Sequence, residues 1–359
     1  VPNLVLIFKI GVINMIDTVK IYTNIDKNIY DIIKNNSIVK TSYHNKTGEI
    51  FYNIINDHLK GSYDSSLSVR VDIGSKYRFI SGYVLELEGS YHKISKGYNS
   101  HNGYYNLSSI CLNLIKLVEN AYNLKLPSLK HWFINRVDIA ICFDLKSQDN
   151  VLKYISNLHM CDYPRRHLKN YGDYGGTGIY FCGTSTTLKI YNKYAEFKKH
   201  DLKKFKNTDF NIIHYLDIIK GFIRFEVEIK KKKLVSIYNN NYIRIRNIMY
   251  KDLKDIWSDE FMKLLKLYES DLKIVRSREE VEKRLYTLFG SIKGRRLYNF
   301  YLSLVIDGID IVKLRTSKNV YYTNIRNLKC AGIDFSQKID INIDDNIINF
   351  NPFSYEEVI

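Results

Sequence analysis

The stretch that decides the reading of this chain is TGIYFCGTSTTLKIYNKYAE, residues 177–196. Two short runs with strand character, Gly178–Cys182 and 187–191, flank Gly183, Thr184 and Ser185, and glycine with serine at that point reads as a hairpin turn. Strand side chains alternate, so Leu188 and Ile190 share one face while Lys189 and Tyr191 share the other. The next residues can turn into a helix, which sets Tyr191 at the end of a strand with Lys193 and Glu196 close behind. A phenol in that position is a candidate nucleophile. It is also one of 30 tyrosines, and a ring that merely packs is the competing reading until the rest of the chain is weighed.

The 359 residues suffice for one large domain and a smaller one, and a hydrophobic share of 45% fits a folded protein. The balance of 54 Lys and Arg against 38 Asp and Glu leaves a net charge of +16. That surplus favours polyanionic partners, nucleic acid first and an anionic membrane surface second. A basic protein with no such partner is the plainer alternative. Aromatic residues interleaved with Lys and Asn suit single-stranded nucleic acid, although AT-rich codon usage yields the same mixture. Cys111, Cys142, Cys161, Cys182 and Cys330 are scattered and form no C-x-x-C pair, which points to a reducing compartment and no structural zinc. No apolar run reaches the length of about 18 residues that a membrane span needs. Residues 1–14, VPNLVLIFKIGVIN, resemble a signal core but lack a basic start and a small-residue cleavage site. They read as an upstream segment before a strand pattern that opens at Met15.

Strands are expected over 15–23, 77–88, 132–143 and 221–229, and helices over Leu107–Tyr122, 150–159, 195–206, 253–267, 278–289, 295–306 and 320–330. Residues 97–103 and 161–176 read as loops, the second basic enough for Arg165 and Arg166 to contact phosphate. Residues 290–294, GSIKG, read like the turn of a helix-turn-helix, and 340–345 as a late strand or ordered coil.

Alternation gives three of these strands an ionised face: Glu86 with Glu88, Arg136 with Asp138, and Arg224 with Glu226 and Glu228. Each alone is read most simply as a solvent face. Joined to Lys189 and Tyr191, they can line one polar sheet surface. Glu86, Asp138 and Glu226 carry the carboxylate oxygens that Mg²⁺ or Mn²⁺ takes as ligands. Arg136 and Arg224 carry charge suited to a phosphoryl transition state. The chain has no P-loop, no G-x-S-x-G, no H-x-H and no H-E-x-x-H. His101, His131 and His167 read as surface or packed residues.

Six blocks in order carry a family resemblance: MID at 15–17, LELEGSYHKISKGYN at 85–99, INRVDIA at 134–140, TLKIYNKYAE at 187–196, GFIRFEVEIK at 221–230, and YNFYLSLVIDG at 298–308 with CAGI at 330–333. The chain resembles the rolling-circle replication initiators of the filamentous-phage gene II/X type and their plasmid relatives. The resemblance implies a protein that nicks one strand of origin DNA through a tyrosine. The enzyme stays attached to the 5′ phosphate, leaves a 3′ hydroxyl as primer, and later rejoins the strand. It places the nucleophile at Tyr191, with Lys193 and Glu196 travelling beside it. It matches Glu86, Asp138, Arg224 and Glu226 to the family's charged strand blocks.

The resulting expectation is an α/β (α+β) protein of relaxase or Rep type, with an antiparallel sheet as catalytic palm and a smaller, mostly helical C-terminal part. The expected divisions are an upstream segment 1–14, a nicking domain 15–236, a helical domain 237–338 and a tail 339–359. Catalysis is assigned to Tyr191, Lys193, Arg136 and Arg224, and a Mg²⁺ or Mn²⁺ site to Glu86, Asp138 and Glu226. DNA contact is assigned to Arg165, Arg166, Lys189, Arg295 and Arg296, and Tyr194 is a second tyrosine open to strand transfer. Expected partners are origin DNA, as supercoiled duplex and single strand, and a host helicase and polymerase. No membrane is expected, and the expected location is the cytoplasm of a bacterial host. Two other readings stay open: a DNA-binding protein without catalysis, and a metal-dependent nuclease that uses water.

Overall fold

Apolar and ionised residues alternate along the central strands, as a sheet with one covered face requires. The computed structural model describes residues 13–48, 50–61, 65–73, 82–99, 103–158, 163–171, 176–205, 208–271 and 278–333, together with 335 and 352. Within them ten strands form one sheet: β1 (Ile13–Ile25), β2 (Ile38–Tyr43), β3 (Ile50–Lys60), β4 (Ser66–Ile73), β5 (Tyr83–Gly89), β6 (Phe133–Asp144), β7 (His167–Tyr171), β8 (Gly178–Cys182), β9 (Thr186–Asn192) and β10 (Phe222–Lys230). Their order is β2-β3-β4-β5-β1-β6-β10-β9-β8-β7, and every neighbouring pair is antiparallel. The helices are α1 (Lys27–Asn35), α2 (Tyr91–Lys96), α3 (Leu107–Tyr122), α4 (Gln148–Leu158), α5 (Lys193–His200), α6 (Ile212–Ile219), α7 (Lys231–Tyr238), α8 (Tyr250–Asp271), α9 (Arg278–Asp307), α10 (Ile309–Arg315) and α11 (Lys318–Cys330).

One face of the sheet is apolar and covered. Val19, Ile21, Val137, Ile139, Val227 and Ile190 share a buried core with Ile110 and Leu114 of α3, Val151 and Ile155 of α4, and Trp257 and Phe261 of α8. The Phe225 ring meets Phe261 edge-on at 5.0 Å, and the Trp257 indole donates to the Phe225 carbonyl at 3.1 Å. Among the described residues three smaller clusters stand apart from this one, the smallest being Tyr22 with Val84. Phe197, Phe205, Tyr215 and Ile219 gather under α5 and α6, and a C-terminal core runs from Val281 to Phe335.

The α+β class, the antiparallel palm and the helical C-terminal part hold. The division expected after residue 236 does not coincide with the division of the cores: α8 packs beneath the sheet, and the second core begins only at Val281. Within 161–176, expected as loop, residues 167–171 form edge strand β7 on β8. The break expected at 290–294 is present. Gly290 leaves helical geometry at φ +76°, two helices meet there across a kink within α9, and Gly294 comes close against the backbone of Leu285 and Tyr286. Residues 1–12, 77–81, 100–102, 161–162, 172–175 and 340–345, each part of an expectation above, lie outside the described residues. Among the described residues no helix is long and apolar enough to cross a membrane.

Candidate active site

The polar face is built by strand register. Across β9 and β10, Tyr191 stands opposite Arg224, Lys189 opposite Glu226 and Thr187 opposite Glu228. Across β10 and β6, Arg224 stands opposite Cys142, Glu226 opposite Ala140 and Glu228 opposite Asp138. Ala140 and Cys142 are small, so the longer Glu226 and Arg224 side chains converge over them. Beyond β6, Lys20 of β1 faces both Arg136 and Glu88. At the end of β9, the Asn192 side chain accepts from the Ala195 N–H at 3.1 Å and caps α5. That cap converts strand into helix within one residue of Tyr191, so Lys193 and Glu196 fall on the first turn.

The Tyr191 hydroxyl donates to Glu226 Oε2 at 2.9 Å, and Arg224 Nε is 3.3 Å from the same oxygen. Arg224 is wholly buried. Its Nη2 lies 3.0 Å from Asp17 Oδ2, and its Nη1 donates to the Asn99 carbonyl. The Asn99 amide donates to Asp17 Oδ1 at 2.7 Å, and its side-chain oxygen accepts from Lys193 Nζ at 2.7 Å. Lys193 also pairs with Glu196, whose other oxygen meets Lys93 at 3.2 Å. A second cluster centres on the Lys189 ammonium, 2.9 Å from Glu226, 3.2 Å from Glu228 and 3.4 Å from Asp138. Arg136 clamps Asp138 through Nε at 2.7 Å and reaches Glu88 at 3.1 Å and Glu228 at 3.5 Å. Lys20 bridges Glu86 and Glu88, each at 2.9 Å.

Burial and charge set the protonation states. Burial, reinforced by Glu226, holds the Tyr191 phenol well above its ordinary range, against the pull of Arg224. Burial would raise Glu226, yet Lys189 and Arg224 keep it below the usual carboxylate range. Burial also raises Asp138, to about 7, despite Arg136 and Lys189. Lys193 is depressed by burial and by Lys93 and Arg224, even with Glu196 beside it. Glu196 is pulled down to about 2 by Lys193 and Lys93 against the cost of its burial. The resting face therefore holds a neutral phenol hydrogen-bonded to an ionised carboxylate, with a fixed guanidinium next to both.

The structure brings Tyr191, Arg224, Glu226, Asp138, Arg136 and Lys189 together. Lys193 lies in the same network, but its ammonium is spent on Asn99 and Glu196 rather than on the phenol. Glu86 stands apart: β1 separates its strand from β6, and Lys20 holds it. Glu86, Asp138 and Glu226 thus do not converge, and among the described residues no group of three His, Cys, Asp or Glu side chains is placed to hold a metal ion. The one carboxylate cup on this face, Asp138 with Glu226 and Glu228, is filled by Lys189. A divalent cation does not fit it as it stands. Lys189 and Arg166, expected on DNA, are both tied internally: Arg166 binds the Thr186 carbonyl at 3.0 Å, pairs with Glu260 and stacks on Tyr163. Arg165, Arg295 and Arg296 are exposed. Tyr194 packs against the aromatic core under α5, with Lys198 over its ring at 5.1 Å.

A family model described as replication-associated protein G2P N-terminal matches residues 15–250, about two thirds of the chain and all the strands above except the first two residues of β1. The chain belongs to that family. It is 28% identical over 173 residues to the replication-associated protein G2P of Enterobacteria phage M13, and equally so to that of phage f1. Each match covers 44% of this chain and 41% of the relative, so less than half the length of these G2P proteins is represented. A rolling-circle replication initiator from Geobacillus stearothermophilus aligns over 61% of this chain and 75% of its own, at 12% identity and a TM-score of 0.25, a likeness too loose to bear on the fold. The G2P match ends at residue 250 and leaves the C-terminal helices outside it.

Within the G2P-matched region, sequence reasoning missed two buried members of the site, Asp17 and Asn99. Strict alternation counted back from Val19 and Ile21 puts Asp17 on the apolar face. A register shift between Ile16 and Val19 turns it to the polar one, against Arg224. Asn99 sits just past Gly97, which ends α2 in the left-handed conformation at φ +81°. Both residues lie inside the MID and GYN blocks, and that was their only signal.

Proposed function

We propose that the protein initiates replication by nicking one strand of origin DNA with Tyr191 as nucleophile. The observation that carries the reading is the hydrogen bond from the Tyr191 hydroxyl to Glu226, beside a buried Arg224, inside the family-matched region. In the proposed step the phenol oxygen bonds to the scissile phosphorus, and the phosphorus–O3′ bond breaks. The phenol proton passes to Glu226 and on to the departing 3′ oxygen, giving a 5′-phosphotyrosine and a 3′ hydroxyl. Reversal rejoins the strand, and because the phosphodiester energy is kept, no ATP is required. Asp17 and Asn99 position Arg224, and Arg224 offsets charge on the phosphoryl oxygens.

At rest the proton transfer is uphill, because the phenol is raised and Glu226 is lowered. A phosphate that draws Lys189 away from Glu226 removes the ion pair that weakens this base. The same movement delivers an ammonium to the phosphate. Tyr191 is only 6% exposed, so the strand must open the face to reach it. Asp138, Glu226 and Glu228 would be open to Mg²⁺ or Mn²⁺ only with Lys189 displaced from between them.

The burial of Tyr191 also favours a second reading, a DNA-binding protein without catalysis. Both are tested by incubating the full chain with supercoiled and single-stranded origin DNA of a related filamentous phage, with and without divalent cation, and resolving products on a denaturing gel. A protein–DNA adduct present in wild type and absent in Tyr191→Phe supports the nicking reading. Cleavage that persists in Tyr191→Phe without an adduct points to a water-using nuclease, and salt-sensitive binding with no cleavage points to the binding protein.

A further inference from the structure

The C-terminal helices make a unit of their own. α9 stops at Gly308, whose φ is +89°, and α10 begins at the next residue. Thr316 and Ser317 then turn the chain into α11. Val305 of α9, Val312 of α10, and Tyr321 and Leu328 of α11 are buried in one core, where the Phe300 ring meets Tyr321 edge-on at 6.0 Å. Along α11 the inward positions Tyr321, Ile325 and Leu328 recur at helical spacing. The outward positions Asn319, Tyr322, Thr323 and Arg326 share the opposite face and are exposed. A short helix, a tight turn and a longer helix with one polar exposed face, all held on a third helix, is the layout of a helix-turn-helix.

Charge and side-chain type fit the same ligand. Residues 309–333 carry Lys313, Arg315, Lys318, Arg326 and Lys329 against a single acid, Asp310. The exposed face of α11 offers an arginine, which pairs with guanine edges, an asparagine, which pairs with adenine, and a threonine, whose methyl meets that of thymine. The exposed lysines suit flanking phosphates. We propose that α11 is a recognition helix that reads double-stranded DNA by sequence in the major groove. The sequence put a helix-turn-helix turn at 290–294, with DNA contact at Arg295 and Arg296. The chain does kink there, at Gly290, but Leu297, Phe300 and Tyr301 of the helix that follows are core residues, and a further turn falls at Thr316 and Ser317, ahead of α11. The reader lies beyond the matched residues and is independent of Tyr191 chemistry.

The test selects a pool of duplexes with a randomised central stretch against the full chain, then measures affinity for the enriched and a scrambled duplex. Enrichment of one sequence is expected. Asn319→Ala and Arg326→Ala each weaken the enriched duplex about 10- to 100-fold and leave the scrambled duplex unchanged. Lys313→Ala weakens both alike. Circular dichroism melts should be unchanged, since all three side chains are exposed. Three results would overturn the proposal: no enriched sequence, variants that bind the enriched duplex as wild type does, or equal losses on single strands. Tyr191→Phe is expected to keep the duplex preference, so a failed nicking reading and a failed α11 reading remain distinguishable.

Discussion

The two faces of the sheet are made by the same strands and are stabilised in opposite ways. On the apolar face each residue is held by many neighbours, and loss of one leaves a cavity that the rest partly absorb. On the polar face each charge depends on one or two opposite charges at fixed distance, and loss of one leaves a buried group uncompensated. β10 shows both in alternation: Phe225 and Val227 rest on α8 and the apolar core, while Arg224, Glu226 and Glu228 bind Asp17, Tyr191 and Lys189. The first face sets how stable the protein is. The second sets what it can do, and gains that at the risk of instability.

The sharpest way to break this contrast is a pair of variants. Phe261→Ala and Arg224→Met should each cost about 3–5 kcal/mol in urea unfolding. Phe261→Ala should keep adduct formation per folded molecule, whereas Arg224→Met should lose it even where the protein is folded. If both keep it, Arg224 is only structural.

Next in size is Glu196→Gln. With its carboxyl held near 2, Glu196 stabilises the fold fully above its ordinary value of 4.5 and loses that contribution as pH falls toward 2. About 3 kcal/mol is at stake, so the variant should show a flatter acid limb in pH-dependent unfolding. Asp138, raised to about 7, has the opposite sign: its contribution is greatest below about pH 4 and fades as pH rises through 7. Asp138→Asn should flatten the neutral limb instead.

Lys189→Met should empty the Asp138, Glu226 and Glu228 cup, and Mn²⁺ affinity read by electron paramagnetic resonance should rise at least about 10-fold, or roughly 1.4 kcal/mol. Equal Mn²⁺ binding in wild type and variant would show that Lys189 does not guard it. The smallest effect belongs to Tyr194→Phe, within about 0.5 kcal/mol and with the adduct intact. Loss of strand rejoining there would return Tyr194 to the reaction.

Alternation was enough to read the central strands and to put Arg136, Asp138, Lys189, Tyr191, Arg224 and Glu226 on one surface, because those strands are regular and covered on one side. It failed where that condition lapsed. β2 is exposed along nearly its whole length and carries no inward pattern, so it gave no strand signal. The irregularity in β1 reversed the side of Asp17. Alternation also says which face a carboxylate is on but not which cation it meets. That is why Glu86, Asp138 and Glu226 read as a metal set although Lys20, Arg136 and Lys189 already hold them.

That internal pairing bears on how the protein should respond to salt. Affinity for DNA falls with salt in proportion to the phosphates a protein neutralises with free cations, each releasing condensed counterions. The polar face brings its own anions. A phosphate arriving there exchanges with a carboxylate for Lys189 or Arg224, and few ions are set free. The steep part of the salt dependence should therefore come from the exposed lysines and arginines of the C-terminal helices, while occupancy of the tyrosine site changes little with ionic strength.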